Sequence, residues 1–336
     1  MASHSQPLPE LLVPIDFNCI KSLTTVESKA VDQLIIDELS SDVILINQMS
    51  HYIVGNGGKR LRPMLLLLAA KALGGASDNH LILAAVIEFI HTATLLHDDV
   101  VDDSDLRRGK ESANAVWGNA ASVLVGDYLY SRAFEMMVRT GNMRVMEILS
   151  KTTTAIAEGE VLQLLNCNNP ETTEEKYLEV IARKTAILFS TAGRLSAIIS
   201  GASVETEENL ARYGQHLGVA FQLIDDALDY KANQEELGKN LGDDLSEGKP
   251  TLPLIYAIQN GSNSEAQVII DAIKNGNRDA FNDVYAIVQR TKAIDYTEQR
   301  ADEESLKAIN SLNVLPPSEY KEALISLAKF SVQRNY

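Results

Sequence analysis

Apolar residues recur at three- and four-residue spacing along nearly the whole chain. In "VDQLIIDELSSDVILINQMSHYI" (31–53) the spacing predicts one amphipathic helix. "LRPMLLLLAAKAL" (61–73) and "LILAAVIEFIHTATLLHDDVV" (81–101) are apolar on almost every face, the signature of central helices buried all round. "NAASVLVGDYLYSRAFEMMV", "TTTAIAEGEVLQLL", "EEKYLEVIARKTAILFSTAGRLSAII" and "LARYGQHLGVAFQLIDDALDY" continue the pattern. Strand alternation and hairpin signals between these runs are absent, and "QNGSNSE" near Gln259 reads as a loop between helices. No linker and no fixed repeat interrupts the series. The expectation is an all-α, single-domain bundle over 25–336. A loose arm, 1–24, precedes it, carrying Pro7, Pro9 and Pro14.

Composition narrows the partners. At 336 residues the chain can bury a sizeable core, and 45% hydrophobic residues is ordinary for a globular protein. A formal charge of −16 argues against nucleic acid, whose phosphates reward basic surfaces. It leaves small phosphorylated ligands open, because a local basic cluster or a bound cation reverses the field. Cys19 and Cys167 fit no zinc spacing or disulfide framework, consistent with a reducing compartment. The first 20 residues hold no Lys or Arg, so the charged start of a signal peptide is missing. "MLLLLAA" is well short of the roughly 18 apolar residues of a membrane span. A cytoplasmic protein is expected, with at most peripheral membrane contact.

The candidate chemistry begins with a pattern that occurs twice: "DDVVD" at Asp98, Asp99 and Asp102, and "DDALD" at Asp225, Asp226 and Asp229. On a helix, residues four apart share a face about one turn from each other. Asp98 with Asp102, and Asp225 with Asp229, each present two carboxylates side by side, while Asp99 and Asp226 point off that face. Mg²⁺ takes one or two carboxylates plus water and substrate phosphate at about 2.0–2.1 Å. A single acidic run at a helix end is as often a solvated surface. Both copies, however, end strongly apolar helices, where the helix dipole disfavours negative charge. Carboxylates emerging there need a counterion.

Basic residues complete the set. Lys59, Arg60 and Arg62 lie in "GNGGKRLRP" before a buried helix, and Arg107 and Arg108 adjoin the first aspartates. Lys184 and Thr185 are expected mid-helix in "IARKTAILFS", and Lys239 and Lys249 bracket "GKNLGDDLSEGKPTLP". Taken singly, each reads more readily as a surface cation. Together, arginine forks and lysine point charges beside acidic metal sites equip a protein for two diphosphates. Gly242–Lys249 is not a P-loop, because its spacing is wrong and Pro250 replaces the required Ser or Thr.

The segments "GGKRLRP", "HTATLLHDDVVDDSDLRRG", "RKTA", "FQLIDDALDY" and "GKNLGDDLSEGKPTLP", in that order, resemble the trans-isoprenyl diphosphate synthase (polyprenyl synthetase) family from about residue 25 onward. Within it they are most similar to the bacterial octaprenyl-forming members that serve ubiquinone, as "AEGEVLQLLN" also suggests. The resemblance implies antiparallel helices around a deep central cavity, a homodimer, Mg²⁺ as cofactor, and isopentenyl diphosphate and an allylic prenyl diphosphate as substrates. It implies that Asp98, Asp102, Asp225 and Asp229, with Asp99 and Asp226 completing the motifs, hold metal. Asp98, Asp102, Asp225 and Lys184 would then carry catalysis. Arg107, Lys184, Thr185, Gln222 and Lys239 would contact the allylic diphosphate, with Lys249 nearby. Lys59, Arg62, His91 and Arg108 would bind isopentenyl diphosphate.

A lone His in an apolar helix is more often a hydrogen-bonded core residue, yet His91 lies seven residues before Asp98 on the same face. Asp103, Asp105, Asp243 and Asp244 carry no expected role beyond solvation. Product length depends on the wall formed by the helix ending at Asp98. Thr94 and Ala93 are small, whereas a bulky aromatic at these places stops the chain early in the family. The tunnel should therefore continue, closed farther down by residues such as Met136, Met137, Leu164 and Leu165. The competing readings are a shorter-chain synthase, a class I terpene cyclase, and a non-catalytic partner subunit. The complete "DDALD" argues against the cyclase, and both intact aspartate sets argue against the inert subunit.

Overall fold

A computed structural model of the chain describes residues 16–55, 58–107, 109–231 and 242–333. It is built of helices α1 (Phe17–Ser22), α2 (Thr25–Glu38), α3 (Ile44–Gly55), α4 (Leu61–Ala72), α5 (Asp78–Val101), α6 (Ala113–Trp117), α7 (Asn119–Arg139), α8 (Met143–Asn166), α9 (Glu174–Ile181), α10 (Ile187–Ile199) and α11 (Val204–Leu228). There follow α12 (Asp243–Ser246), α13 (Leu252–Asn260), α14 (Asn263–Asn275), α15 (Phe281–Arg290), α16 (Ala293–Ser311) and α17 (Glu319–Gln333). Among the described residues the strands are limited to a two-residue antiparallel ladder, pairing Leu106 with Glu111 and Arg107 with Lys110. The all-α expectation holds.

The two long helices that carry the aspartates start at capped positions. Ser77 caps α5, with the His80 side chain returning to the Ser77 backbone. Ser203 accepts from Thr206 N at 3.2 Å to start α11, and Glu205 and Glu207 in its first turn suit the positive end of the helix dipole. From its cap α5 runs through the centre of the bundle, with Leu83 to Ile87 fully enclosed, and packs against α4 and α7. It is long and apolar enough to cross a bilayer, but most of it is buried as the core helix of the bundle.

Helices α10 and α11 pack almost backbone to backbone. A Cβ at Gly214 would lie 2.1 Å from Phe189 O, and one at Gly218 would lie 2.5 Å from Ala186 Cα. Only glycine permits that approach.

Three local expectations change. The run 31–53 is two helices, not one. Ser41 and Asn47 exchange side-chain and backbone hydrogen bonds, and Ser41 Oγ accepts from Val43 N at 3.1 Å. These local bonds compete with the helical ladder and break it. The stretch 1–24 is also not loose throughout. Residues 17–22 form α1, whose Ile20 is buried and whose Phe17 stacks on Phe330 of α17 at 4.7 Å. Residues 1–15 lie outside the described part. Finally, the stretch holding Lys184 is not a regular α-helix: Ala182–Ala186 is a π-helical turn between α9 and α10.

Candidate active site

Helix α5 ends at Val101 with Asp102 as its cap, and α11 ends at Leu228 with Asp229 as its cap. Each aspartate motif thus straddles the C-terminal end of a buried helix, where unsatisfied carbonyls already concentrate negative charge. Lysines answer the first cluster. Lys184 Nζ stands 3.3 Å from Asp98 Oδ2, and Lys249 Nζ donates to Asp102 Oδ2 at 2.8 Å. Lys249 also pairs with Glu247, while Lys184 donates to Glu160 Oε2 at 2.5 Å and Gln163 Oε1 at 2.6 Å. Burial opposes the charge on both lysines. The carboxylates of Asp98 and Glu160 outweigh it at Lys184, those of Asp102 and Glu247 outweigh it at Lys249, and both ammonium groups are held above their usual range. Burial, then the charge of Asp98, raises Glu160 to about 7 against the pull of Lys184.

A second chain of contacts reaches α11. Thr185 Oγ1 donates to Gln222 Oε1 at 3.1 Å, and Gln222 Nε2 donates to Asp226 Oδ1 at 2.8 Å. The π turn thereby touches the α5 motif through Lys184 and the α11 motif through Thr185. Asp225 and Asp229 sit half-buried on successive turns at the end of α11.

The two middle aspartates depart from the expected metal set. Asp99 is 2% exposed, and its Oδ1 accepts from both Nε and Nη2 of Arg107 at 2.6 Å. Asp226 is 3% exposed and accepts from the Tyr177 hydroxyl as well as from Gln222. Burial, then the charge of Asp244, raises Asp226 well above the usual carboxylate range. Both side chains point off the paired face into the protein and orient their neighbours. Asp244 is likewise no solvated bystander, because its charge also bears on Lys249 and Tyr230.

The other cations occupy distinct places. Arg62 Nη1 lies 3.2 Å from His91 Nε2, and its guanidinium stacks 4.2 Å above the Phe189 ring. Phe189 in turn contacts Phe221, next to Gln222. Lys59 Nζ lies 5.5 Å over the ring of Phe330. Arg60, in a left-handed conformation, turns away to Glu88 at 2.6 Å and Asp32 at 3.5 Å. Arg108 and Lys239 lie outside the described residues.

Beneath the first motif runs a cavity of about 900 Å³ between α5, α7 and α8. Asp98, Asp102, Glu247 and Lys249 form its charged mouth. Following the helices away from that mouth, the wall passes Thr94, Tyr130, Ala157 and Ile156 and reaches Phe134 and Thr153. Thr94 lines it as expected. Ala93 does not, being fully enclosed in the core. Met136 and Met137 are core residues as well, and Leu165 is largely exposed, so of the four residues expected to close the end only Leu164 touches the cavity.

Glu160, Gln163 and Glu247 belong to this site, although no motif in the sequence marks them. The signal for the first two was Glu and Gln three apart on an apolar helix, facing the lysine of "RKTA".

The paired carboxylates suit a hard divalent cation: the donors are oxygens, and a lysine ammonium already stands beside Asp98 and beside Asp102. Among the described residues no three His, Cys, Asp or Glu side chains enclose a metal by themselves. Substrate phosphate and water would have to complete the coordination.

The chain belongs to the polyprenyl synthetase family, whose model matches residues 43–289, and its chemistry is prenyl transfer. It is 54% identical to octaprenyl diphosphate synthase of Escherichia coli (strain K12) over 94% of this chain and 98% of that protein. It is 48% identical to an all-trans-nonaprenyl-diphosphate synthase (geranyl-diphosphate specific) of Rhodobacter capsulatus, over 91% of this chain and 94% of that one. A crystal structure of a polyprenyl synthase from Caulobacter crescentus CB15, complexed with calcium and isoprenyl diphosphate, superposes with a TM-score of 0.92 at 44% identity. That match covers 96% of this chain and 98% of the other. These relatives define a long-chain, all-trans polyprenyl diphosphate synthase.

Proposed function

We propose that this long-chain prenyltransferase makes octaprenyl diphosphate for a quinone side chain, from isopentenyl diphosphate and an allylic diphosphate. The observation that carries the reading is the cavity of about 900 Å³ opening directly under the Asp98–Asp102 pair, with no aromatic at Thr94 to stop it. Asp98 and Asp102 on one side, and Asp225 and Asp229 at the end of α11, are the residues that would hold Mg²⁺. Bound magnesium supplies Lewis-acid neutralisation of the charge on a departing diphosphate.

The chain's own groups do the rest. Lys184, with Lys249 beside it and Arg107 braced by Asp99, stabilises the allylic diphosphate as charge develops on it. Tyr130 and the buried Ile156 line the space below and shield the allylic cation from water. Arg62, His91 and Lys59 orient isopentenyl diphosphate so that its double bond attacks that cation. No side chain is assigned as the base for the final proton, which the released diphosphate takes. A homodimer is supported by the apolar side chains exposed on α7 and α8, among them Leu124, Val138, Val161 and Leu165. A cytoplasmic location, with at most peripheral contact with a membrane, fits a chain in which the one described helix long and apolar enough to cross a bilayer is mostly buried inside the bundle.

The two diphosphate pockets are separable by mutation. Lys59→Ala or Arg62→Ala raises KM for isopentenyl diphosphate more than that for the allylic substrate, and Lys184→Ala does the reverse. Each lost contact to a charged group is worth about 1.5–3 kcal/mol. Steady-state kinetics with each substrate varied in turn checks this, and equal effects on both substrates contradict the assignment.

A further inference from the structure

Lys184 meets three side chains, and these partners come from two different helices. Asp98 on α5 is the more distant, at 3.3 Å. Glu160 and Gln163, one turn apart on α8, hold the same Nζ at 2.5 and 2.6 Å. The backbone explains how α8 comes so near. A Cβ at Gly159 would lie 2.8 Å from the backbone N of Lys184 and 3.0 Å from Arg183 Cβ, so the helix rests directly on the π turn. On the outer side Arg183 pairs with Glu158 at 2.6 Å, which laces α8 to the turn a second time. A π turn within a helix commonly marks a functional position, and here it presents Lys184 to the mouth.

We infer that Glu160, assisted by Gln163, is a positioning residue: it keeps the Lys184 ammonium in place for the allylic diphosphate when Asp98 is engaged by a divalent cation. A lysine whose only carboxylate were Asp98 would compete with the metal for that oxygen, or swing away once the metal took it. With Glu160 and Gln163 as fixed acceptors, two of its three N–H donors stay anchored and the third turns to the diphosphate. Hydrogen-bonded partners of this kind fix the functional group they touch and matter nearly as much as the group itself.

The inference rests on the allylic role of Lys184 proposed above, and a double-mutant cycle on the full-length enzyme separates the two. Binding of farnesyl thiodiphosphate, an unreactive allylic analogue, is measured by calorimetry with Mg²⁺ present, alongside KM for isopentenyl diphosphate and the melting temperature. Glu160→Gln is expected to weaken analogue binding about 10-fold, within the usual range for a supporting partner. The isopentenyl KM and melting temperature stay near those of the parent, and Glu160→Asp recovers part of the loss. In a Lys184→Ala background Glu160→Gln has no further effect.

An equal loss in that background overturns the inference, since Glu160 would then act on the metal or the substrate itself. So does a uniform loss for both substrates with a lowered melting temperature. Should Glu160→Gln not fold, Gln163→Leu must give the same substrate pattern at smaller size, and its absence has the same consequence. If Lys184→Ala leaves analogue binding untouched, the allylic assignment itself falls and takes the inference with it. A normal Lys184→Ala defect beside a silent Glu160→Gln removes the inference alone.

Discussion

Asp98→Ala and Asp225→Ala each lower kcat by about 100- to 1,000-fold at saturating Mg²⁺, the scale on which loss of one electrostatic stabiliser of a transition state is felt. Both residues are only partly buried, at helix ends, so the fold survives their truncation. Asp98→Ala also leaves Lys184 with only Glu160 and Gln163 among its contacts. Asp99 behaves differently, because its carboxylate is buried against Arg107. Removing it leaves a guanidinium without its bidentate partner and costs stability as well as turnover. Circular dichroism melting beside kcat distinguishes the cases. Near-normal turnover in Asp98→Ala or Asp225→Ala contradicts the two-sided metal reading.

Thr94→Tyr shifts the product from a long chain to a short one while isopentenyl diphosphate continues to be consumed. Thr94 faces the cavity one turn below Asp98, and a phenol ring there fills the path just beneath the mouth. Phe134→Ala does the opposite. Phe134 stands among the lining residues farthest from the mouth, and its removal lets the chain extend. Ala93→Tyr serves as the contrast. Ala93 is fully enclosed, so the added ring overpacks the core and destabilises the fold instead of gating the cavity. Chromatographic sizing of the products checks all three. Full-length product from Thr94→Tyr contradicts a path along α5.

Much of this was legible in the sequence because it is periodic or local. The three-and-four spacing gave the helices, and the i, i+4 carboxylates gave the paired faces of α5 and α11. The same spacing already turned Asp99 and Asp226 off those faces, where the structure finds them buried and engaged. What the sequence hid depends on neighbours distant along the chain. Lys184 reads as mid-helix, yet its π turn is closely approached by Gly159 and Gly218 of two other helices.

Glu160 has no visible role until α8 is laid against that turn. Met136 and Leu164 both look like apolar wall, but one is core and the other lines the cavity, a difference of helix rotation that composition does not encode. The break after Glu38 is invisible to periodicity because side chains of Ser41 and Asn47 override a continuous apolar stripe.

One measurement bears on the account most directly. The purified chain is given isopentenyl diphosphate and farnesyl diphosphate with Mg²⁺, and in parallel with a chelator, and the labelled products are sized. Octaprenyl diphosphate is predicted as the main product with Mg²⁺, and no elongation with the chelator, because no divalent cation then neutralises the charge on the departing diphosphate. A product that stops at a short chain, or elongation that persists without divalent cation, contradicts the account.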